Sequence, residues 1–335
     1  MWARASLRHA HTRNISSKPA ASRSSSYGPA AAILGIAASY YFFSPDVSRA
    51  APTVEDQVLS PTYFTKCSIT SNENSGPDTR LVTVTVPAKS IPSTSSLHPI
   101  WSVYIKDDAI QVERPYTPLG GIDSDGRMRF WIKKYPRGEV GRWLHSKIVG
   151  DVIELRGPLQ TWRWQPDTWD EVIMISGGTG ITPFYQLFHS VISQMPTSST
   201  CFTLLHSSKT EDELPPPAIL DSLISYAKEH PSNFRVRLFV DTPAADIPEA
   251  QTGRIGRVDI ERSLRKDVSS STWLGRLLGQ TEIPDLRQRK VLFLVCGPEP
   301  MLNAIAGPYG RNFSQGPVGG ALAELGCRTD QVYKL

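Results

Sequence analysis

Cysteine is scarce in this 335-residue chain: Cys67, Cys201, Cys296 and Cys327 lie far apart, and no two form a Cys-x-x-Cys pair. That spacing excludes a disulfide framework and a zinc cage. His145, His189 and His206 also lack ligand-like spacing, so no metal site is expected. No serine occupies a Gly-x-Ser-x-Gly elbow, which argues against a serine hydrolase. Neither sign of charge dominates, with 36 Lys and Arg against 32 Asp and Glu. Five of the basic residues, Arg4, Arg8, Arg13, Lys18 and Arg23, precede the first acid, Asp46, so the remainder is close to neutral. A near-neutral body argues against a dedicated nucleic-acid binder, whose basic face must displace counterions from several phosphates, so any basic partner surface is local and no nucleic-acid partner is expected. Apolar residues are not lacking: 40% of the chain is hydrophobic and 20% charged, which at this length excludes disorder and allows two cores.

Residues 1–28 carry scattered Arg among Ser and Ala and no acid, the composition of a mitochondrial presequence. Between Ser24 and Pro45 there is no charge, and 29–43 reads PAAAILGIAASYYFF. A membrane span wants about 20 apolar residues, so 29–45 is short, although Tyr40, Tyr41 and Phe42 suit the interfacial belt. Two readings stand: a single membrane helix, or the apolar part of a cleaved signal. Positive charge before the segment would leave its start in the matrix. A spanning helix then places the body in the intermembrane space, anchored to the mitochondrial inner membrane.

Residues 46–58 read as a linker. From 59 to 168 the pattern is all-β, with alternation at 80–86, 100–105, 128–133 and 151–155 broken by Gly, Pro and Ser clusters, and it suggests a small barrel. From 169 to 335 it changes: 171–176 (EVIMIS) is a continuous buried strand, followed by a Gly-rich turn and a helical stretch through Gln194. Further strands are expected at 201–206, 234–240 and 290–295, with a helix at 221–229. Strand and helix in alternation predict a parallel α/β sheet, so the fold class is β plus α/β. Residues 243–289 hold one helix-like piece and read as an insertion.

Three constellations carry chemistry. Arg114-Pro115-Tyr116-Thr117-Pro118 follows a strand and gathers a guanidinium, a phenol and a hydroxyl. Arg can pair bidentately with a pyrophosphate while Tyr offers a π-face, although an exposed edge strand would also explain the cluster. Gly177-Gly178-Thr179-Gly180-Ile181-Thr182-Pro183 joins the strongest strand to a helix. Glycines there let a phosphate approach the backbone, and the helix start favours negative charge. It is not Gly-x-Gly-x-x-Gly, and no acid stands at the usual ribose position about 20 residues on. Cys296-Gly297-Pro298-Glu299-Pro300-Met301 ends another buried strand, at the sheet edge where ligands bind in open α/β folds.

These motifs, in this order, resemble the ferredoxin–NADP reductase superfamily and most closely its NADH–cytochrome b5 reductase branch. The likeness runs from about residue 59 to the end and includes 130–135 (FWIKKY), 150–158 (GDVIELRGP), 210–214 (TEDEL) and the closing Val332-Tyr333-Lys334-Leu335. With the basic leader, the apolar segment and the Gly-rich 307–320 stretch, the chain is similar to the fungal mitochondrial flavoproteins of cytochrome c haem attachment. The resemblance implies an antiparallel FAD-binding β-barrel at 59–168, followed by a nucleotide-binding domain at 169–335.

It further implies that Arg114 and Pro115 border the FAD pyrophosphate, Tyr116 packs on the isoalloxazine and ribityl, and Thr117 hydrogen-bonds near flavin N5. Lys133 and Tyr135 would lie near the FAD phosphates, with Gly138, Val140 and Gly141 in the second phosphate loop. The family usually has Ser or Thr where Gly141 stands. Gly177, Gly178, Thr179, Gly180, Thr182 and Pro183 would hold the nicotinamide nucleotide, and Ser208 and Lys209 would read the adenosine ribose. Cys296, Gly297 and Pro298 would border the nicotinamide, with Cys296 and Thr117 at the reacting atoms. The cofactors implied are FAD and NADH, with NADPH left open by Lys209. The implied activity is NAD(P)H oxidation through FAD to haem or a haem protein, such as cytochrome c and its haem lyase. Two alternatives remain: a cytochrome b5 reductase of the outer membrane, and a non-catalytic assembly scaffold on the same fold.

Overall fold

In the computed structural model the described residues are 51–93, 97–107, 111–196, 199–242, 250–264 and 286–335. The expected presequence at 1–28, the apolar segment at 29–45 and parts of 243–289 lie outside them. Among the described residues no helix is long and apolar enough to cross a membrane. Residues Ala50–Leu335 form one compact unit built on two sheets.

The first sheet holds β1 (Thr65–Gly76), β2 (Thr79–Thr85), β3 (Ile100–Lys106), β4 (Glu113–Tyr116), β5 (Arg127–Lys133) and β6 (Val152–Trp162), in the order β4-β3-β6-β1-β2-β5. Every ladder in it is antiparallel. Residues of β1 alternate between buried and exposed over its first half, as a strand with one wet face requires. After β4 the Leu119 amide donates to the Arg129 carbonyl at 2.8 Å, which brings the chain back to β5 and all but closes the barrel. Helix α1 (Glu139–Ser146) caps one end, with Val140 and Leu144 in the barrel core.

The second sheet holds β7 (Glu171–Gly177), β8 (Cys201–Ser208), β9 (Phe234–Val240), β10 (Ala250–Thr252), β11 (Val291–Cys296) and β12 (Val332–Lys334), in the order β10-β9-β8-β7-β11-β12. All its ladders are parallel. All seven residues of β7 are buried, as expected of a central strand covered on both faces. Helices α2 (Thr182–Ser190), α3 (Pro217–Glu229), α4 (Arg257–Ser263), α5 (Glu299–Ala306) and α6 (Gly320–Glu324) provide the cover. Helix α2 stops short of the expected Gln194: the Ser190 hydroxyl turns back onto the Gln186 carbonyl at 2.8 Å, and a 3-10 turn follows. Helix α3 starts four residues earlier than expected, with proline at its first turn, where a missing N–H costs nothing.

One apolar core crosses between the sheets, joining Ile100, Leu119 and Trp131 to Val172, Ile181 and Phe184. Gln186 of α2 reinforces it by accepting the Trp101 amide at 2.8 Å, and the Tyr333 hydroxyl donates to the Thr161 carbonyl at 3.0 Å. The chain leaves β7 toward β8 on one side, and β11 returns on the other, so the order reverses between β7 and β11. A crevice at the carboxyl end of such a reversal is where ligands bind in open α/β sheets.

Candidate functional site

The turn after β7 and the segment after β11 meet in that crevice. A Cβ added to Gly180 would lie 2.4 Å from the Cys296 carbonyl oxygen, and one on Gly177 would lie 2.5 Å from Met301 Sδ. Gly297 sits in the same contact, its Cβ position 3.1 Å from the Gly177 amide nitrogen. Glycine at these places is a matter of packing. Gly178 differs: its φ is +53°, in the left-handed region, and a Cβ there would meet nothing. The open side of the turn is therefore bare backbone. The Thr182 hydroxyl donates to the Thr179 carbonyl at 3.1 Å, and Pro183 starts α2. An open glycine backbone at a sheet reversal suits a dinucleotide's phosphates.

Cys296 ends β11, half-buried, and burial pushes its thiol up to about 12. It is a neutral thiol near pH 7, neither base nor nucleophile. Beside it the 307–317 loop is clasped to the last strand: Tyr309 donates to the Leu335 carbonyl at 2.8 Å, and Lys334 Nζ to the Pro308 carbonyl at 2.6 Å. Pro298 is exposed and Gly297 half-exposed, so the end of β11 opens to the crevice.

On the barrel, Arg114 and Pro115 are exposed on β4. One Arg114 nitrogen donates to the Glu113 carbonyl at 2.9 Å, and among the described residues no carboxylate holds the guanidinium. Tyr116 is half-buried; burial pushes its phenol above the ordinary value, against the opposing charge of Arg114. Thr117 follows directly, half-buried, its hydroxyl without a partner among the described residues. The start of α1 comes to the same place, because a Cβ on Gly141 would lie 3.8 Å from the Tyr116 hydroxyl. No side chain caps this helix start at Gly138, and Val140 points into the core, so the first backbone amides are unclaimed by a cap, with the exposed Glu139 beside them. A bare guanidinium, uncapped amides and a free hydroxyl together fit a pyrophosphate and the flavin it carries. Tyr135 is 45% exposed just before this helix.

Gly141 also explains its own identity. A Cβ there would lie 2.9 Å from the Lys133 carbonyl oxygen, closer than real side chains approach. Gly141→Ser is therefore expected to weaken flavin retention by about tenfold rather than supply a missing hydroxyl. Fluorescence titration of the flavin-free variant checks this, and tighter binding than wild type would refute the packing account.

Two expected residues, Lys133 and Ser208, are engaged elsewhere. The Lys133 ammonium pairs with the Glu213 carboxylate of the second domain, both largely buried, so its charge is committed across the domain boundary. The Ser208 hydroxyl points inward, donating to the Glu213 carbonyl at 3.1 Å and meeting His206 Nε2 at 3.2 Å. It does not face a ribose. Lys209 is exposed at the end of β8, and its carbonyl accepts the Asp241 amide at 3.2 Å. Asp241 follows β9 at the same carboxyl edge and pairs with Arg254 at 3.0 Å. An acid directly after an apolar strand at the ligand edge is a signal the sequence itself carries, at Asp241.

Comparison with known proteins agrees with this geometry. The profile of the oxidoreductase FAD-binding domain matches residues 66–164, and that of the oxidoreductase NAD-binding domain matches 174–307. A Yarrowia lipolytica protein named NADH-cytochrome b5 reductase 2 is 30% identical over 303 residues, covering 90% of this chain and 95% of that one. A protein of the same name from Meyerozyma guilliermondii is 33% identical over 223 residues, covering 67% of each. The fold is shared with the cytochrome b5 reductase domain of Ulva prolifera nitrate reductase, at TM-score 0.62 and 21% identity over 83% of this chain and all of that one. The two cofactor-domain matches and a relative 30% identical over nearly its whole length place the chain in the NADH-cytochrome b5 reductase family, as a flavin-dependent oxidoreductase that uses FAD and NADH.

Proposed function

We propose that the chain passes electrons from NADH through FAD to a haem protein in the mitochondrial intermembrane space, during haem attachment to cytochrome c. The observation that carries the electron path is the junction of the two sites: the 178–181 turn lies against β5, and Ile181 shares a core with Trp131 and Leu119. When bound, NADH would supply a hydride and FAD the conversion of that electron pair into single electrons, which suits a one-electron haem acceptor. The protein's own residues bind and orient. Arg114 and the amides at the start of α1 hold negative charge, Thr117 offers a hydroxyl to a ring nitrogen, Gly178 leaves the turn open to the nucleotide, and Gly180 seats that turn against the end of β11. The neutral Cys296 thiol occupies the reacting end without taking a proton. No acid or base is required of the protein, so positioning and exclusion of water are its whole contribution.

The basic leader and the uncharged 29–43 run support the location, with the anchor in the inner membrane and the body on its outer side. A second reading draws on the relatives' shared name, in which the acceptor is cytochrome b5. An anaerobic titration of the full chain, loaded with FAD, tests the electron path: NADH bleaches the flavin absorbance, and Arg114→Ala purifies without flavin. A folded wild-type protein that takes up no flavin, or whose flavin NADH leaves oxidised, overturns the proposal. Protease protection of mitochondria and of mitoplasts tests the location. Comparing the reduction rates of cytochrome c, haem-loaded lyase and cytochrome b5 separates the acceptors.

A further inference from the structure

Large exposed apolar side chains are few among the described residues, and three fall within five positions: Ile148, Val149 and Val152 are 69%, 63% and 51% exposed. Val58, Tyr135, Val258 and Phe313 are spread along the chain. Ile148 and Val149 lie in the tight turn between α1 and β6, and Val152 is the first residue of β6. The Asp151 amide donates to the Ile148 carbonyl at 3.1 Å, and the Gly150 amide to the Ile69 carbonyl at 2.8 Å. The Asp151 carboxylate folds back to accept the Ile148 amide at 2.9 Å. The aliphatic side chains are thus held outward on a fixed backbone, while the one acid of the turn is engaged within it.

We infer that this turn is a membrane-contact patch, which seats the flavin domain on a lipid bilayer. Lys147, next to the turn, holds its ammonium 4.5 Å from the centre of the Trp143 ring. Trp beside Lys at the edge of an aliphatic patch is the pairing favoured at the membrane interface, where the ring sits at headgroup depth and the amine reaches water. Neighbouring acids are neutralised: Glu154 is held by Lys106 at 2.5 Å, and Glu55 by Lys66 at 2.9 Å. Three aliphatic side chains fall well short of the roughly 800 Å² per partner that a stable protein interface buries, whereas shallow lipid insertion needs no more.

The place where the chain joins the barrel points to the same surface. Thr53 donates to Glu154 at 2.6 Å, and Glu154 and Val152 share one face of β6. Nine residues, 44–52, separate Thr53 from the apolar 29–43 run, a reach of about 35 Å at most when extended. A bilayer holding that run lies within reach of the turn, and the inference rests on reading 29–43 as the anchor. Helix α1, about 12 Å long, puts its start toward the flavin site and its end at the patch. Contact with lipid therefore leaves the crevice open to water.

Photolabelling of the full chain in phosphatidylcholine–phosphatidylglycerol vesicles carrying a diazirine acyl chain tests this, because trypsin isolates the relevant segments. Peptide 148–156 reports the patch, 24–49 reports the anchor, and 258–262, with its exposed Val258, is the control. Lipid adducts are expected on 148–156 well above the control, and are lost in the Ile148→Asn/Val149→Asn variant while NADH oxidation with ferricyanide is unchanged. Adducts on 24–49 without 148–156 overturn the patch and spare the anchor. Adducts on 148–156 alone keep the patch and remove the anchor. Labelling of neither, or equal labelling in the double variant, overturns the inference.

Discussion

Gly180→Ala is expected to slow NADH-driven flavin reduction by roughly a hundredfold while the flavin absorbance stays that of wild type. The added methyl would lie 2.4 Å and 2.7 Å from the Cys296 carbonyl atoms and 2.9 Å from Gly297 Cα, all backbone, so no side chain can swing aside. Nor can the strands slide. Register is fixed along the whole β7–β11 ladder, from Glu171 opposite Val291 to Ser176 opposite Cys296. The turn must lift away from the end of β11, and displacement of about 1 Å between reacting groups is enough for a loss of this size. The barrel is untouched, which is why flavin stays. Gly178→Ala is the comparison: a Cβ there meets nothing, and the cost is the left-handed backbone alone, about 1 kcal/mol. Anaerobic stopped-flow on both variants decides it; a Gly180→Ala rate within a factor of about three of wild type would remove close packing as the reason for glycine.

Much of this site is legible in the sequence, for physical reasons that differ by element. Strand β7 shows as an unbroken apolar run because both faces are covered, and the glycines after it show because the close approach to Cys296 admits nothing larger. Strand β1 escapes notice: its second half, Ser71 to Ser75, is polar and leans on turn-forming residues, and only pairing with β2 and β6 makes it a strand. Strand β12 is three residues long and exists because β11 offers it a parallel edge. Side-chain roles are harder to read than backbone ones. Lys133 and Ser208 stand at the expected places, yet one is drawn to Glu213 and the other to His206. Sequence spacing carries no record of a partner 80 residues away.

His206 is the residue whose importance is least visible in the sequence. It is fully buried in β8, with Nδ1 2.8 Å from the Ser176 hydroxyl and Nε2 3.2 Å from Ser208. Because Ser208 donates onward to the Glu213 carbonyl, it accepts from Nε2–H, and Nδ1 is left to accept from Ser176. Burial keeps the ring neutral, and in that form these bonds link the residue before the nucleotide turn to the one that pairs with Lys133.

Burial lowers the His206 pKa from 6.5 to about 3. A folded value below the unfolded one means that the unfolded chain binds the extra proton. The stability His206 contributes is complete above about pH 6.5 and is lost as pH falls toward about 3. Each unit in that window costs about 1.4 kcal/mol. Burial also lowers His145 and His189, so their effect has the same sign. The His206→Gln variant keeps a hydrogen-bonding side chain and cannot titrate. Its unfolding free energy, measured by denaturant between about pH 6 and pH 4, is expected to fall less steeply than wild type by about 1.4 kcal/mol per unit. Parallel slopes would mean that the buried ring does not set the acid sensitivity, and that the acid loss comes from the other titrating groups.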